Sequence, residues 1–265
     1  MQPISTPYDD KFFEDMTTWA KDSAAEVVPI VRALFPEAQR VIDVGCGTGA
    51  WGLAMSRHGI PQVLGIDGAY ALPGPDGIDF RAVDLNENLP DLGVFDLAIC
   101  LEVAEHLPQE RAESFIADLA ALAPAVLFSA ASCGQGGTDH KNEQWLSFWI
   151  ELFDKQGFEC LDMVRPLIRY NEQVAWFYRQ NMVLMLRKPV AEKFKADLRL
   201  TGHAGANFEY VARAHLEALQ TAPGAEPLST LTFRAATAEY KKIVGRRVLQ
   251  QFPALRGIVR KIRQA

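Results

Sequence analysis

Residues 41–52, VIDVGCGTGAWG, place a cluster of glycines directly after an apolar run. The apolar run predicts a buried strand, and glycines at its end let the backbone approach a ligand that side chains would keep away. Two ligands fit the spacing. The G-x-G-x-x-G pattern of residues 47–52 fits a pyrophosphate. The D-x-G-x-G-x-G pattern of residues 43–49 fits the amino-acid end of S-adenosylmethionine. Glycine spacing alone does not decide between them.

Predicted strands and helices alternate on both sides of this turn, from residue 39 to about residue 187. The strand patterns are RVIDVG, QVLGID, IDFRAV, FDLAICLE, AVLFSAA, FECLDMV and QNMVLMLRK. Nearly continuous apolar strands separated by helices indicate a parallel sheet that is covered on both faces. The connection before the last strand, RPLIRYNEQVAWFYR, is short and only weakly helical. It therefore favours an antiparallel last strand over a parallel crossover.

The chain divides into three predicted segments: an N-terminal helical cap (1–38), a core (39–187) and a helical C-terminal extension (188–265). In the cap, SAAEVVPIVRALF predicts a helix with Ser23 as its N-cap and Glu26 three residues later. Pro29 predicts a late start or a kink in that helix. The extension shows a patchy helical pattern, broken by the loop compositions TGHAGANF and TAPGAEP.

Composition and charge narrow the class of protein. The four cysteines lie far apart in the sequence, which predicts neither a disulfide framework nor a zinc site. We find no signal-peptide pattern and no apolar run of about 20 residues, and we expect a cytoplasmic protein. The net charge is −6, although residues 241–265 hold eight basic residues and no acid. The remaining body is strongly acidic, which argues against nucleic acid as a partner.

Three aspartates favour the sulfonium cofactor. Asp67 ends the second strand, where either cofactor would place its ribose. Asp43 lies inside the first strand, and a buried charge there is costly unless it meets a cation or a hydrogen-bond network. The positively charged amino group of S-adenosylmethionine could pair with that carboxylate, whereas a negatively charged pyrophosphate would be repelled by it. Asp84 ends the third strand, where it could bind the amino group of adenine.

The segments VIDVGCGTGAWG, GIDG, AVDL and FDLAICLEVAEHLP, in this order and spacing, resemble the class I S-adenosylmethionine-dependent methyltransferases. The segments SAAEVVPIVRALFP, GQGGTDHKNEQWLSFWIELF and WFYRQNMVL also resemble a bacterial subgroup whose genes often lie beside glycosyltransferases. The resemblance covers residues 8 to about 187. It implies an α/β, Rossmann-like, seven-stranded and mostly parallel sheet, with an antiparallel last strand and helices on both faces. It also implies S-adenosyl-L-methionine as the cofactor.

The resemblance assigns roles to the residues at the strand ends. Asp43 would orient the amino group and Asp67, with Gly68 beside it, would bind the ribose hydroxyls. Asp84 and the Leu85 backbone would contact adenine, and Glu102 would face the cleft near the methionyl end. The glycines expected to pack against the methionyl group are Gly45, Gly47 and Gly49.

Residues 136–145, GGTDHKNEQW, follow the fifth strand and hold the main candidate for catalysis. Methyl transfer is an in-line displacement, so the enzyme mainly aligns its substrates and supplies an unprotonated nucleophile. If the acceptor is a hydroxyl, a base must take its proton, and the histidine at position 140 suits this role. His140 could instead cap a helix starting near Asn142, or only line the loop. Asp139 is the alternative base, and His106 is a secondary candidate.

These features predict methyl transfer to a small molecule or glycan, at a hydroxyl. N- or C-methylation of a metabolite and an inactive cofactor-binding scaffold stay open as alternatives. No metal is predicted. Several aromatic residues are expected around the cleft, as packing residues or as platforms for a ring of the acceptor. They are Tyr8, Phe12, Phe13, Trp145, Trp149 and Tyr178.

Residues 241–265 form a basic tail with an apolar stripe at helical spacing. Two interpretations fit this pattern. The stripe could pack on the catalytic domain or on a second subunit. Alternatively, the tail could rest on the inner face of an anionic membrane, near a lipid-linked acceptor. The stripe consists of Val248, Phe252, Leu255, Val259 and Ile262.

Overall fold

The structure, a computed structural model, describes residues 10–69 and 77–197, with side chains for 17–69 and 77–196. The chain divides into two compact units, residues 1–191 and 192–265. The first unit holds the sheet. Its strands are β1 (Arg40–Val44), β2 (Gln62–Asp67), β3 (Asp79–Ala82), β4 (Leu97–Leu101), β5 (Ala125–Ser129), β6 (Phe158–Leu161) and β7 (Val183–Arg187).

Seven helices accompany these strands within the described residues. They are α1 (Asp10–Leu34), α2 (Ala50–Arg57), α3 (Ala112–Leu122), α4 (Leu146–Lys155), α5 (Arg165–Ile168), α6 (Trp176–Asn181) and α7 (Lys188–Asp197). Two short 3-10 turns, Ala104–His106 and Gln109–Arg111, lie between β4 and α3. None of the described helices is both long enough and apolar enough to span a membrane.

The seven strands form a single sheet in the order β3-β2-β1-β4-β5-β7-β6. The pairings among β1 to β5 are parallel, and β7 runs antiparallel to both β5 and β6. The predicted Rossmann-like fold with an antiparallel last strand is confirmed. The chain order reverses between the adjacent strands β1 and β4. In open α/β sheets, such a reversal leaves a crevice beyond the carboxyl ends of the two strands, where ligands bind.

The central strands are held in a buried core. Every residue of β4 and β5 is buried. Phe128 of β5 contacts two aromatic rings of α4, with centroid distances of 5.7 Å to Trp149 and 5.3 Å to Phe153. Packing of this kind fixes the strand ends from which the site is built. Trp149, predicted near the cleft, therefore belongs to the core.

The N-terminal helix differs from its prediction. Helix α1 starts at Asp10 and continues through Pro29, so Ser23 is not its N-cap. Ser23 is buried in mid-helix, and its Oγ accepts a hydrogen bond from the Ala175 amide at 2.9 Å. The neighbouring Val27 and Val28 are fully buried. Burial of this apolar face stabilises the helix and offsets the cost of the proline.

Some predictions concern parts of the chain that are not described. Residues 241–265 lie outside the described residues, and their role as a membrane or interface segment stays a prediction. Tyr8, Phe12 and Phe13 lie outside the described side chains.

Candidate active site

The glycine turn after β1 adopts backbone angles that favour glycine. Gly45, Gly47 and Gly49 have φ values of 73°, 52° and 76°. A Cβ atom on Gly45 would lie 2.4 Å from a methyl group of Val103, whereas one on Gly47 would meet no atom within 4 Å. Gly45 thus lets the turn pack against the loop that follows β4. Gly47 borders open space in which a ligand can lie.

Asp67, at the end of β2, is tied to the same turn. Its Oδ2 accepts a hydrogen bond from the Gly47 amide, and its Oδ1 accepts one from the Gly68 amide, both at 2.7 Å. These bonds fix the carboxylate at the mouth of the crevice. Each carboxylate oxygen can accept a second hydrogen bond. Asp67 can therefore still bind a pair of hydroxyl groups.

Asp43 is buried beneath the turn. Its Oδ2 accepts a hydrogen bond from the Gly52 amide at 3.0 Å and thereby anchors the first turn of α2. The pKa of Asp43 is raised to about 7, mainly by burial; the Gly52 hydrogen bond lowers it in part, and the nearby Asp67 carboxylate contributes to the rise. A neighbouring cation would favour the ionised form.

The raised pKa of Asp43 makes the stability of the protein depend on pH. Between the ordinary aspartate pKa of 3.8 and about 7, the folded state keeps a proton that the unfolded state has released. The free energy of unfolding therefore falls as pH rises through this window. Asp43→Asn keeps an oxygen acceptor for Gly52 but cannot ionise. We expect its melting temperature, relative to that of the wild type, to be higher at pH 8 than at pH 5.

Thermal melts of both proteins from pH 5 to pH 8, without ligand, measure this difference. Glu113→Gln, which neutralises an exposed carboxylate of α3, is the matched control and should show an offset that is nearly independent of pH. An equally constant offset for Asp43→Asn would contradict the raised pKa.

Asp84 lies beyond the end of β3 and is exposed. Its Oδ1 accepts hydrogen bonds from the Asn86 amide at 3.0 Å and from Asn86 Nδ2 at 2.8 Å, and these bonds lower its pKa. Leu85 is buried, and its carbonyl accepts a hydrogen bond from Arg111 Nε at 3.2 Å. Arg111 thus holds this loop in place, and the ionised Asp84 carboxylate stays accessible.

Glu102 directly follows β4 and has a strained backbone, with a φ of 54°. Its carboxylate accepts hydrogen bonds from Asn181 Nδ2 at 3.2 Å and from Gln135 Nε2 at 3.0 Å. Burial raises the pKa of Glu102, and these hydrogen bonds lower it in part. The sequence did not predict Gln135 or the buried Asn181 as partners. A polar residue immediately before the apolar run 182–186 was the available signal for Asn181.

The loop that carries His140 is organised by Glu143, which the sequence did not single out. Glu143 Oε1 bonds to His140 Nδ1 at 2.8 Å and accepts a hydrogen bond from the Gly136 amide at 2.7 Å. Its Oε2 accepts one from the Gly134 amide at 2.8 Å. Because α4 starts only at Leu146, the alternative that His140 caps a helix near Asn142 is wrong.

The same loop is attached to the turn after β4. The Lys141 and Asn142 amides donate to the Glu105 carbonyl at 2.8 and 2.9 Å. This places the rings of His106 and His140 edge to face, with centroids 4.9 Å apart. Asp139, by contrast, is exposed and pairs with the Lys141 ammonium at 3.2 Å.

Glu105, His106 and His140 offer ligand atoms that all lie within 4.8 Å of one another. Burial and the neighbouring His140 lower the pKa of His106 to about 4. Burial and the Glu102 carboxylate raise the pKa of Glu105 well above its usual range. The crevice therefore has two sides, a glycine turn with Asp43 and Asp67, and a group of acids and imidazoles. They meet where Gly45 packs on Val103.

A family model described as a methyltransferase domain matches residues 16–158, more than half of the chain. The chain belongs to the methyltransferase-domain family. The predicted membership of the S-adenosylmethionine-dependent class I methyltransferases is thereby confirmed. The family uses S-adenosylmethionine. The matched range contains the glycine turn, Asp67 and the Glu102–His140 side of the crevice.

Curated relatives of this chain match shorter stretches of it than the family model does. The chloroplastic magnesium protoporphyrin IX methyltransferase of Arabidopsis thaliana is 36% identical over 92 residues, covering 31% of this chain and 29% of the relative. The ubiquinone biosynthesis O-methyltransferase of Hahella chejuensis is 31% identical over 120 residues, covering 37% of this chain and 50% of the relative. The chain thus spans half or less of the length of these relatives.

The solved structures that are similar to this chain include magnesium protoporphyrin IX methyltransferase from Synechocystis PCC 6803 with bound SAH. It has a TM-score of 0.48 and 21% identity, over 66% of this chain and 87% of that one. An amino pentose methyltransferase from Micromonospora echinaspora, solved with bound SAM, has a TM-score of 0.49 and 20% identity. That match covers 69% of this chain and 99% of the other.

Proposed function

We propose that this methyltransferase transfers a methyl group from S-adenosylmethionine to a hydroxyl group of a small molecule or glycan. One observation carries the proposal. The turn expected to hold the methionyl group packs directly against the loop that leads to Glu105, His106 and His140, through Gly45 and Val103. Side chains that can accept a proton therefore lie next to the expected position of the methyl donor.

The cofactor side of the crevice suits the chemistry of S-adenosylmethionine. Asp67 is held by two amides with lone pairs to spare, which supports its role in binding both ribose hydroxyls. A cationic amino group would offset the cost of ionising the buried Asp43. The exposed Asp84 carboxylate, with the Leu85 backbone, would accept from the amino group of adenine. The open space beside Gly47 would take the methionyl end.

His140 is the favoured base for the acceptor hydroxyl. The Glu143 carboxylate orients its ring through Nδ1, which leaves Nε2 for a proton. In the transfer, the acceptor oxygen forms a bond to the methyl carbon while the carbon–sulfur bond breaks. The electron pair returns to sulfur and the hydroxyl proton passes to the base. Asp139 is less suited because it is exposed and paired with Lys141, and His106 because its pKa is about 4.

The names of several relatives are consistent with oxygen as the acceptor atom, since they are ubiquinone biosynthesis O-methyltransferases. N- or C-methylation is the second candidate, although neither explains why two imidazoles and two carboxylates gather at the donor. An inactive scaffold is less consistent with the strained, hydrogen-bonded Glu102.

Calorimetry with the full chain tests the cofactor. We expect S-adenosylmethionine and its demethylated product to bind with dissociation constants on the order of micromolar and NAD not to bind. Incubation with methyl-labelled cofactor and separate pools of nucleotide sugars, lipid-linked glycans and phenolic metabolites then tests the acceptor. Label that resists mild base and stays on oxygen supports the proposal. NAD binding without any response to the sulfonium compound would overturn it, as would label found only on nitrogen or carbon.

A further inference from the structure

The turn after β4 holds buried polar atoms that have no partner among the described residues. Glu105 is fully buried, and neither of its carboxylate oxygens has a hydrogen-bond partner of good geometry among the described residues. The Nδ1 atom of His106 is buried and also lacks a partner. Leaving such groups unpaired costs free energy, more so for a carboxylate. A single ligand that contacts these atoms together would offset this cost.

The charges around Glu105 indicate the sign of that ligand. The Glu102 carboxylate, three residues earlier in the chain, is a close neighbour of the Glu105 carboxylate. Among the described residues, no lysine or arginine forms an ion pair with either glutamate, and Lys141 pairs with Asp139. Two neighbouring carboxylates in such a site repel each other when both are ionised, and a cation bound to both would offset that repulsion.

The histidines are arranged as ligands of a cation usually are. His140 Nδ1 is bonded to Glu143, whose carboxylate is in turn held by the Gly134 and Gly136 amides. A carboxylate on the second ring nitrogen is the usual support of a metal-binding histidine. It leaves Nε2 of His140 free to coordinate. The buried Nδ1 of His106 has no partner among the described residues and could likewise bind a cation.

We propose that Glu105, His106 and His140 bind one divalent transition-metal cation, with the Glu102 carboxylate beside it. The three ligand atoms lie within 4.8 Å of one another, which is close to the spacing of ligand atoms around one ion. Imidazole and carboxylate together suit manganese, iron or zinc better than magnesium or calcium. The wide spacing of the cysteines predicted no zinc site, but the three ligands proposed for this cation include no cysteine.

The proposal deepens the proposed function and rests on it for its catalytic meaning. A cation with three protein ligands keeps positions open for an acceptor hydroxyl. Binding there would lower the pKa of the hydroxyl, so that its proton leaves to solvent and the oxygen attacks the methyl carbon. The acceptor class is then a hydroxyl compound able to coordinate a metal. His140 would act as a ligand in that case and not as the base.

Binding of Mn²⁺ to the full chain, freed of metals with EDTA and dialysed, tests the site without cofactor or acceptor. We expect one tight Mn²⁺ per chain in a titration followed by electron paramagnetic resonance. Pulsed spectra should show coupling to imidazole nitrogen. Glu105→Gln and His140→Ala should each weaken binding at least about 10-fold. His58→Ala and Glu113→Gln, which change exposed residues away from the crevice, should leave it unchanged.

Melting curves show which variants fold. If Glu105→Gln does not fold, His140→Ala, which changes a loop residue, provides the test of metal binding. Absence of tight binding by the wild type, or unchanged binding by the folded variants, would overturn the site. Methyl transfer that continues in excess EDTA would overturn its catalytic role and leave the proposed function standing. Tight Mn²⁺ binding without transfer to any acceptor pool would support the site and contradict the proposed function.

Discussion

Asp67→Ala should weaken the binding of S-adenosylmethionine by about 100-fold or more. The substitution removes the acceptor for two ribose hydroxyls, and hydrogen bonds to a charged group contribute about 1.5–3 kcal/mol each. Two of them, at about 1.5 kcal/mol, correspond to a factor of about 100 in the dissociation constant. The Gly47 and Gly68 amides also lose their acceptor, which loosens the glycine turn. Calorimetric titration of the folded variant with the cofactor measures the effect.

Asp67→Asn separates these two causes because it keeps one oxygen for the turn but loses the charge. We expect an affinity between that of the wild type and that of the alanine variant. Glu113→Ala, which removes an exposed carboxylate of α3, should bind the cofactor as the wild type does. If Asp67→Ala folds and binds like the wild type, the ribose lies elsewhere and the predicted cofactor orientation is wrong.

The strands of the sheet could be predicted from local sequence because most of them are short, apolar and bounded by a turn, whereas their order in the sheet came only from the structure. The antiparallel β7 followed from a connection too short and too weakly helical for an ordinary crossover. The course of α1 could not be predicted in this way. Local rules place a cap at Ser23 and a break at Pro29, but the buried valines of the helix face outweigh both. That packing depends on residues far away in the sequence.

In the candidate site, too, some features could be predicted from local sequence and others depend on residues far away in the chain. The positions of Asp43, Asp67 and Glu102 beside the crevice could be predicted because ligands gather at the carboxyl edge of a parallel sheet, and their roles stay predictions. The partners of Glu102 could not, since Asn181 is 79 residues away and reaches it only through the fold. Glu105 was overlooked for a different reason. In the sequence it is a polar residue in a turn, and only the structure shows it fully buried without a partner.

His140→Ala should lower methyl transfer to a hydroxyl about 100-fold or more, with little change in the affinity for the cofactor. Loss of a positioned base typically costs this much. The ring bonds to Glu143 and contacts His106, and neither residue is assigned to the cofactor. Turnover and cofactor binding, measured on the acceptor pool identified with labelled cofactor, give the two values. His58→Ala removes an exposed histidine near the end of α2 and should match the wild type in both.

The outcome also distinguishes a base from a metal ligand. If His140 only removes a proton, added Mn²⁺ cannot replace it, and the loss persists at every metal concentration. If it holds a cation, the variant keeps Glu105 and His106, so excess Mn²⁺ should refill the weakened site and restore part of the turnover. Equal losses of turnover and cofactor affinity would mean that the ring has a structural role. No loss of either would transfer the role of base to Asp139 or His106.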